Sequence, residues 1–369
     1  MHSKKSALTK EKRYVKLIIY FSYPKVNDMR ILKRAAIAVA NRFPLLSDES
    51  KMKIYCACIT DPESAASRHL ELLSRKPDQR MYADMRKALH KYGMFYDEYA
   101  VYGCDVNPPG DYITEAGRMT LLSHFNDKSA FSLFADKYSV YSLFRDYYKR
   151  RLVRVSRSSD YEAFASFYND CAPAFAKPLR GSCGNGAVIL ESGDNTKALF
   201  ETLSHGEGYV CEELIRQNGT VRDFNPDSVN TVRFTTVLKD GKVIPFYPFF
   251  RMGRKGGITD NAGASGVMVP VDSETGRLGK VGRDENGRYF NRHPDSKIPF
   301  DGFLLPEWDN ALNLMASLAR TVPAARCVSF DIAYSANGWI LVEANLRGQF
   351  IGQQLCCGKG LYTELVSLL

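Results

Sequence analysis

Apolar and polar positions follow two rhythms along this chain. Over residues 29–43 the apolar side chains Ile31, Leu32, Ala35, Ile37, Ala38 and Val39 recur at the spacing of one helical face. Residues 64–92 continue in that period, with an interruption near Pro77. The run Asn107-Pro108-Pro109-Gly110 then breaks any regular element. Residues 121–148 are again helical in pattern and dense in aromatics. From there the period shortens. Residues 151–156 alternate like a strand, 160–169 return to helix, and two short strands flank a glycine-rich turn at 181–186. A further strand spans 208–215. The last third reads as an antiparallel set over 231–238, 243–251 and 266–271, then an amphipathic helix over 309–320. It closes with a hairpin of 328–334 and 339–343 across Ala336-Asn337-Gly338, where Asn-Gly is a turn signal. The pattern predicts an α+β chain with a mostly helical amino-terminal region and shows no internal repeat.

Composition adds constraints. The chain has 369 residues, enough for two or three subdomains, and a formal charge of +9. A basic surplus favours an anionic partner: nucleotide phosphates, an acidic sugar polymer, a membrane surface or nucleic acid. A solvated basic surface accounts for it equally well. Nine cysteines are spaced irregularly with no CxxC pair, which fits reduced thiols of a cytoplasmic protein better than a disulfide framework. No stretch approaches the ~18 apolar residues of a membrane span. A soluble protein is expected, with at most peripheral contact with a membrane.

Four groups of residues suggest chemistry. Lys177 ends a strand, and Gly181, Gly184 and Gly186 follow with Ser182 and Asn185 between them. Glycines let the backbone approach a bulky anion, and the lysine supplies a charge beside it. A plain hairpin loop would also need such glycines. The turn is not a Walker loop, because no Gly-Lys-Ser/Thr leads it into a helix. Near the carboxyl end, Asp331 sits on one strand while Glu343 and Asn345 lie two apart on the next, so they share a face. The hairpin brings Asp331 near Glu343, and three hard oxygen donors suit Mg²⁺. Solvated acids at strand ends are the plainer alternative. Glu212 and Glu213 interrupt an apolar strand, where an edge strand with solvated acids is the simpler reading. Arg233 and Arg251 adjoin apolar runs and could steady oxyanions, or form surface ion pairs. The histidines show no catalytic grouping, and no Ser-His-Asp set or nucleophile elbow is present.

Taken in order, Asp136-Lys137, Lys177-Pro178 with the 181–186 turn, Glu212-Glu213-Leu214-Ile215, Asn230-Thr231-Val232-Arg233, and Asp331 with Glu343-Ala344-Asn345 resemble the ATP-grasp superfamily. Arg251-Met252-Gly253-Arg254, Asp260-Asn261 and residues 339–354 resemble the subgroup associated with sugar transfer and cell-surface polysaccharide gene clusters. The resemblance covers residues 121–369. It implies two α+β subdomains sandwiching ATP, here 121–210 with the glycine flap and 211–369 with the Mg²⁺ site. Residues 1–120 would be a substrate-recognition region. By the same resemblance Lys137 and Lys177 would contact the ATP phosphates, with Lys128 a rival to Lys137. Ser182, Gly184 and Gly186 would cover the triphosphate. Glu212 and the backbone at Leu214 would hold adenine, and Glu213 or Gln217 the ribose. Asp331, Glu343 and Asn345 would bind Mg²⁺. Arg233 and Arg251 would steady the acyl phosphate, and Asn261 would sit near the acceptor. The implied activity is ligation of a carboxylate to an amine, acting on an acidic glycan rather than on nucleic acid. An amino-acid or peptide ligase, and a phosphotransferase acting on a hydroxyl, remain as alternatives.

Overall fold

The computed structural model describes residues 46–47, 50–51, 79–181, 184–260 and 266–369. The helix expected over 29–43, and the part of the 64–92 helix before Gln79, lie outside them. The chain divides into two compact units.

The first unit holds the described residues up to His124 together with Gln349–Ser367. It is helical, with helices Gln79–Tyr92, Tyr96–Val101, Glu115–Phe125, Ile351–Cys357 and Tyr362–Val366. Buried polar bonds tie its two chain segments. The Gln354 amide accepts from the Ile113 N–H at 2.7 Å and donates to the Ile113 carbonyl at 3.1 Å. The Thr363 N–H donates to the Asp111 carboxylate at 2.8 Å. The expectation of one carboxy-terminal subdomain over 211–369 therefore needs correcting. Its last helices belong with the amino-terminal unit, a long-range pairing that no local pattern announces.

The second unit, Phe125–Gly348 with Leu368–Leu369, carries two antiparallel sheets. The smaller is built from β1 (Leu152–Val155), β2 (Ala174–Pro178), β3 (Val188–Leu190) and β4 (Tyr209–Glu213), in the order β1-β4-β2-β3. Alternation sends Ala174, Ala176 and Cys211 to one face. There they form a core with Phe164, Phe167 and Phe200 from the helices Tyr161–Cys171 and Thr196–Leu203. Asn195 caps the second of these helices by accepting from the Ala198 N–H at 3.0 Å. The opposite face carries Lys177 and Glu212.

The larger sheet holds β5 (Thr231–Lys239), β6 (Lys242–Met252), β7 (Val267–Pro270), β8 (Gly282–Arg283), β9 (Tyr289–Phe290), β10 (Cys327–Ser335) and β11 (Gly338–Asn345), in the order β11-β10-β5-β6-β7-β8-β9. Period-2 alternation again separates chemistry from packing. Phe234 stacks on Trp308 of the Trp308–Thr321 helix, and Phe330 packs edge-on against Phe144 of the Lys137–Tyr148 helix. Thr231, Arg233, Ser329 and Asp331 occupy the other face. The expected hairpin forms, with Ser335 paired to Gly338.

The helix expected over 121–148 is broken into Glu115–Phe125, Ala130–Leu133 and Lys137–Tyr148. Two polar side chains account for the breaks. The buried Asn126 amide pairs with the backbone of Cys327, accepting at 2.8 Å and donating at 2.9 Å. Asp136 accepts from the Ser139 N–H at 2.8 Å and starts the last helix as its N-cap.

Candidate functional site

The polar faces of both sheets carry a continuous set of charged side chains within the second unit. On the larger sheet the register does the assembling. Asp331 of β10 is the direct cross-strand partner of Arg233 on β5 and of Glu343 on β11. Arg233 grips Asp331 through two bonds of 2.7 Å each. Arg251, from β6, reaches the same carboxylate at 3.2 Å. Arg251 also donates to the Thr231 hydroxyl at 2.9 Å and to Asp260 at 3.3 Å, and Thr231 donates to Asp260. Asp331 is only 2% exposed. Burial alone would raise its pKa, but Arg233 and Arg251 outweigh that and hold the carboxyl below the usual range. Asp260 goes the other way: burial, with Asp331 nearby, raises it despite Arg251.

On the smaller sheet Glu212, 3% exposed, is held by two cations. Lys177 meets one carboxylate oxygen at 2.7 Å, and Arg150 meets the other at 2.5 and 3.0 Å. Burial opposes ionisation here too, and the two cations lower the pKa in spite of it. Lys137 donates to the Gly181 carbonyl at 2.9 Å, which links it to the entry of the glycine turn. Burial lowers its pKa, while Glu343 and Glu212 pull upward and Lys177 downward. Lys137, Lys177, Glu212 and Glu343 therefore share one electrostatic neighbourhood. Lys128, the alternative to Lys137, is exposed.

The glycine turn has the backbone that its composition predicts. Gly184 and Gly186 have φ of +70° and +74°. A Cβ on Gly186 would lie 3.0 Å from the Pro178 ring, and one on Gly184 would lie 3.1 Å from the Thr259 methyl. Ser182 and Asn261 lie outside the described residues.

Three of the expected site residues are engaged by the fold. Glu213 alternates to the opposite face from Glu212 and bonds the Arg151 backbone N–H at 2.9 Å, with the Cys171 thiol at 3.4 Å, far from any shared role with Glu212. Gln217 has spent its amide on Asn230, accepting from its N–H at 2.7 Å and donating to its carbonyl at 2.8 Å. These bonds fix the start of β5. Asp331 is bound by two arginines, which contact both of its oxygens. Leu214 follows β4 with its side chain exposed.

Among the described residues no group of three or more His, Cys, Asp or Glu could hold a metal ion. Glu343 and Asn345 are half-buried on one face of β11, and among the described residues neither side chain has a hydrogen bond or ion pair. Two unpaired oxygen donors fit a Mg²⁺ that takes its remaining ligands from phosphate and water. Glu343 and Asn345 therefore fit such an ion, with Asp331 beside them and bonded to Arg233 and Arg251.

Two residues of the cluster carried little or no signal in the sequence. Arg150 stands in the run Lys149-Arg150-Arg151, which reads as solvated charge. Asp260 becomes part of the arginine ladder only through the β5–β6 register.

The chain belongs to the sugar-transfer associated ATP-grasp family, whose model matches residues 117–368. Among solved structures it is similar to the VanG D-Ala:D-Ser ligase of Enterococcus faecalis, at 13% identity over 66% of this chain and 64% of that one, with a TM-score of 0.44. The D-alanine-D-alanine ligase of Helicobacter pylori gives 14% identity, the same coverages and a TM-score of 0.43. An N5-carboxyaminoimidazole synthetase of Staphylococcus aureus complexed with ADP gives 11% identity over 61% and 48%, with a TM-score of 0.39. The chain thus spans less than two thirds of each of these proteins. No curated protein sequence matches it. No helix among the described residues is long and apolar enough to cross a membrane.

Proposed function

We propose that this chain is an ATP-dependent ligase that joins a carboxylate to an amine through an acyl phosphate, with an acidic glycan or its precursor as the carboxylate donor. One observation carries the reading: Lys177 of the smaller sheet and Lys137, at the start of the helix that packs on Phe330, share a neighbourhood with Glu343 of the larger sheet. Family membership supports the nucleotide.

A carboxylate is a poor electrophile and must exchange an oxygen for a better leaving group. Its oxygen attacks the γ-phosphorus of ATP, forming a C–O–P linkage and releasing ADP. The amine then attacks the acyl carbon, the C–N bond forms, and inorganic phosphate leaves as the amine loses a proton. Lys137 and Lys177 supply positive charge toward the phosphoryl oxygens. Mg²⁺ held by Glu343 and Asn345 would neutralise further phosphate charge. Arg233 and Arg251, fixed by Asp331 and Asp260, present guanidinium edges on the same face and suit the oxyanion of the tetrahedral intermediate. The Gly184–Gly186 backbone can approach the triphosphate closely and shield the acyl phosphate from water. The strand at Glu212 and the backbone at Leu214 would border the adenine. The +9 charge of the chain suits an anionic substrate.

The test is an isotope experiment. Uronates and amino acids labelled with ¹⁸O in the carboxylate are incubated with ATP, Mg²⁺ and a panel of amines. Ligation through an acyl phosphate moves one ¹⁸O into free phosphate in step with ADP. A phosphorylated product without free phosphate would instead establish hydroxyl phosphotransfer and refute ligation.

A further inference from the structure

Arg150 occupies an unusual position between the two sheets of the second unit. Its side chain is 4% exposed. The Lys137–Tyr148 helix stops just before it, and Lys149 takes a left-handed turn with φ of +48° that redirects the chain into β1. From that corner Arg150 reaches both sheets. Toward the smaller sheet, Nε and Nη2 donate to one oxygen of Glu212 at 3.0 and 2.5 Å. Toward the larger sheet, Nη1 donates to the Leu341 carbonyl at 2.7 Å, and Nη2 approaches the Val342 carbonyl at 3.4 Å. The guanidinium also covers the Tyr148 ring at 4.8 Å.

The carbonyls it contacts are at an irregularity. β10 pairs Asp331 with Glu343 and Ile332 with Leu341, so Val342 is an extra residue, a β-bulge. A bulge kinks its strand and re-aims the side chain beside it. Here that side chain is Glu343. Lys149 adds a second tie to the same hairpin, donating to the Asn337 carbonyl at 3.1 Å.

We infer that Arg150 is a positioning residue. It couples Glu212, on the nucleotide-side sheet, to the bulge that aims Glu343, so that the lysines and the acidic strand are held in one fixed relation. The guanidinium presents its donors in a fixed planar fork spread over three nitrogens, whereas the donors of a lysine all radiate from one nitrogen and cannot reproduce that geometry. The inference rests on the ligase reading, in which Glu343 faces Mg²⁺ and phosphate.

The test uses the full chain with Arg150→Lys, Arg150→Met, Glu343→Gln and the double variant of Arg150→Lys with Glu343→Gln. Thermal melting and calorimetric titration with ADP are run in EDTA and in MgCl₂. For Arg150→Lys the expected result is a melting temperature close to that of the unmodified chain and ADP affinity in EDTA within about twofold. The enhancement of affinity by Mg²⁺ should fall about tenfold. Arg150→Met leaves Glu212 to Lys177 alone and should also weaken binding in EDTA. In the Glu343→Gln background, Arg150→Lys should change the Mg²⁺ response no further, because both act through one carboxylate. Equal loss in EDTA and in MgCl₂, or an additive double variant, overturns the positioning role and leaves the ligase reading intact. Failure of the unmodified chain to bind ADP in either buffer overturns the ligase reading, and the coupling with it.

Discussion

Asp331 and Glu343 are direct neighbours across two strands, yet they should respond to neutralisation in opposite ways. Asp331→Asn removes a buried charge that compensates two arginines. Breaking a buried ion pair by deleting one partner costs about 3–5 kcal/mol. Asparagine keeps one oxygen to accept from Arg233, and Asp260 still faces Arg251 at 3.3 Å, so the lower end, about 3 kcal/mol, is expected. For a unit of this size that corresponds to a fall of about 6–12 °C in melting temperature. Glu343→Gln removes a half-buried carboxylate with no bonded partner, so it should shift stability by less than about 0.5 kcal/mol. It should nevertheless abolish the Mg²⁺-dependent part of nucleotide binding. Differential scanning fluorimetry, urea melts and ADP calorimetry read both effects. The pH dependence supplies a sign. The folded pKa of Asp331 lies below its unfolded value, so its stabilisation is present above about pH 4 and disappears only as pH falls through the depressed folded value. The gap between the unmodified chain and Asp331→Asn should therefore be constant from pH 7 to about 5 and close below about 4. A Glu343→Gln variant as unstable as Asp331→Asn would make Glu343 a structural acid and remove the metal-facing role. An unchanged melting point for Asp331→Asn would refute the arginine ladder.

Lys177→Met should weaken ADP binding at least about tenfold, equivalent to about 1.4 kcal/mol, with little loss of stability because Arg150 still pairs with Glu212; equal affinity in a titration would exclude a phosphate role. Desolvation of the half-buried Lys137 lowers its pKa, so nucleotide affinity should fall on raising the pH before a free lysine would lose its charge. Lys137→Met should flatten that profile, and a sloping profile in the variant would count against the assignment. Gly186→Ala places a Cβ 3.0 Å from the Pro178 ring at a φ of +74°. It should cost about 1–2 kcal/mol and slow turnover, and full activity at unchanged stability would show that the turn needs no glycine there.

The sequence alone was enough for most of the elements and for the family. Alternation located the strands around Lys177, Glu212 and Asp331 to within a few residues, because one face of each must be apolar to pack on its helices. The Asn-Gly signal placed the last hairpin, and spacing by two put Glu343 and Asn345 on one face. Family resemblance rested on the order of those pieces.

Register, bulges and helix ends decided the rest, and these depend on partners distant in the chain. Period-2 alternation separates Glu212 from Glu213 as soon as β4 pairs on both sides, which is why adjacent acids diverge in role. Nothing local to Asp331 announces that β5 and β6 bring Arg233 and Arg251 alongside it. Nor does any local pattern announce the pairing of Gln217 with Asn230. Arg150 lies in a basic run that looks like solvent-facing charge, and only the corner after Tyr148 turns it inward against Glu212 and the Val342 bulge. A short-range pattern can report which faces are apolar. Which opposite charges come to rest within 3 Å of one another is decided by strands a hundred residues apart.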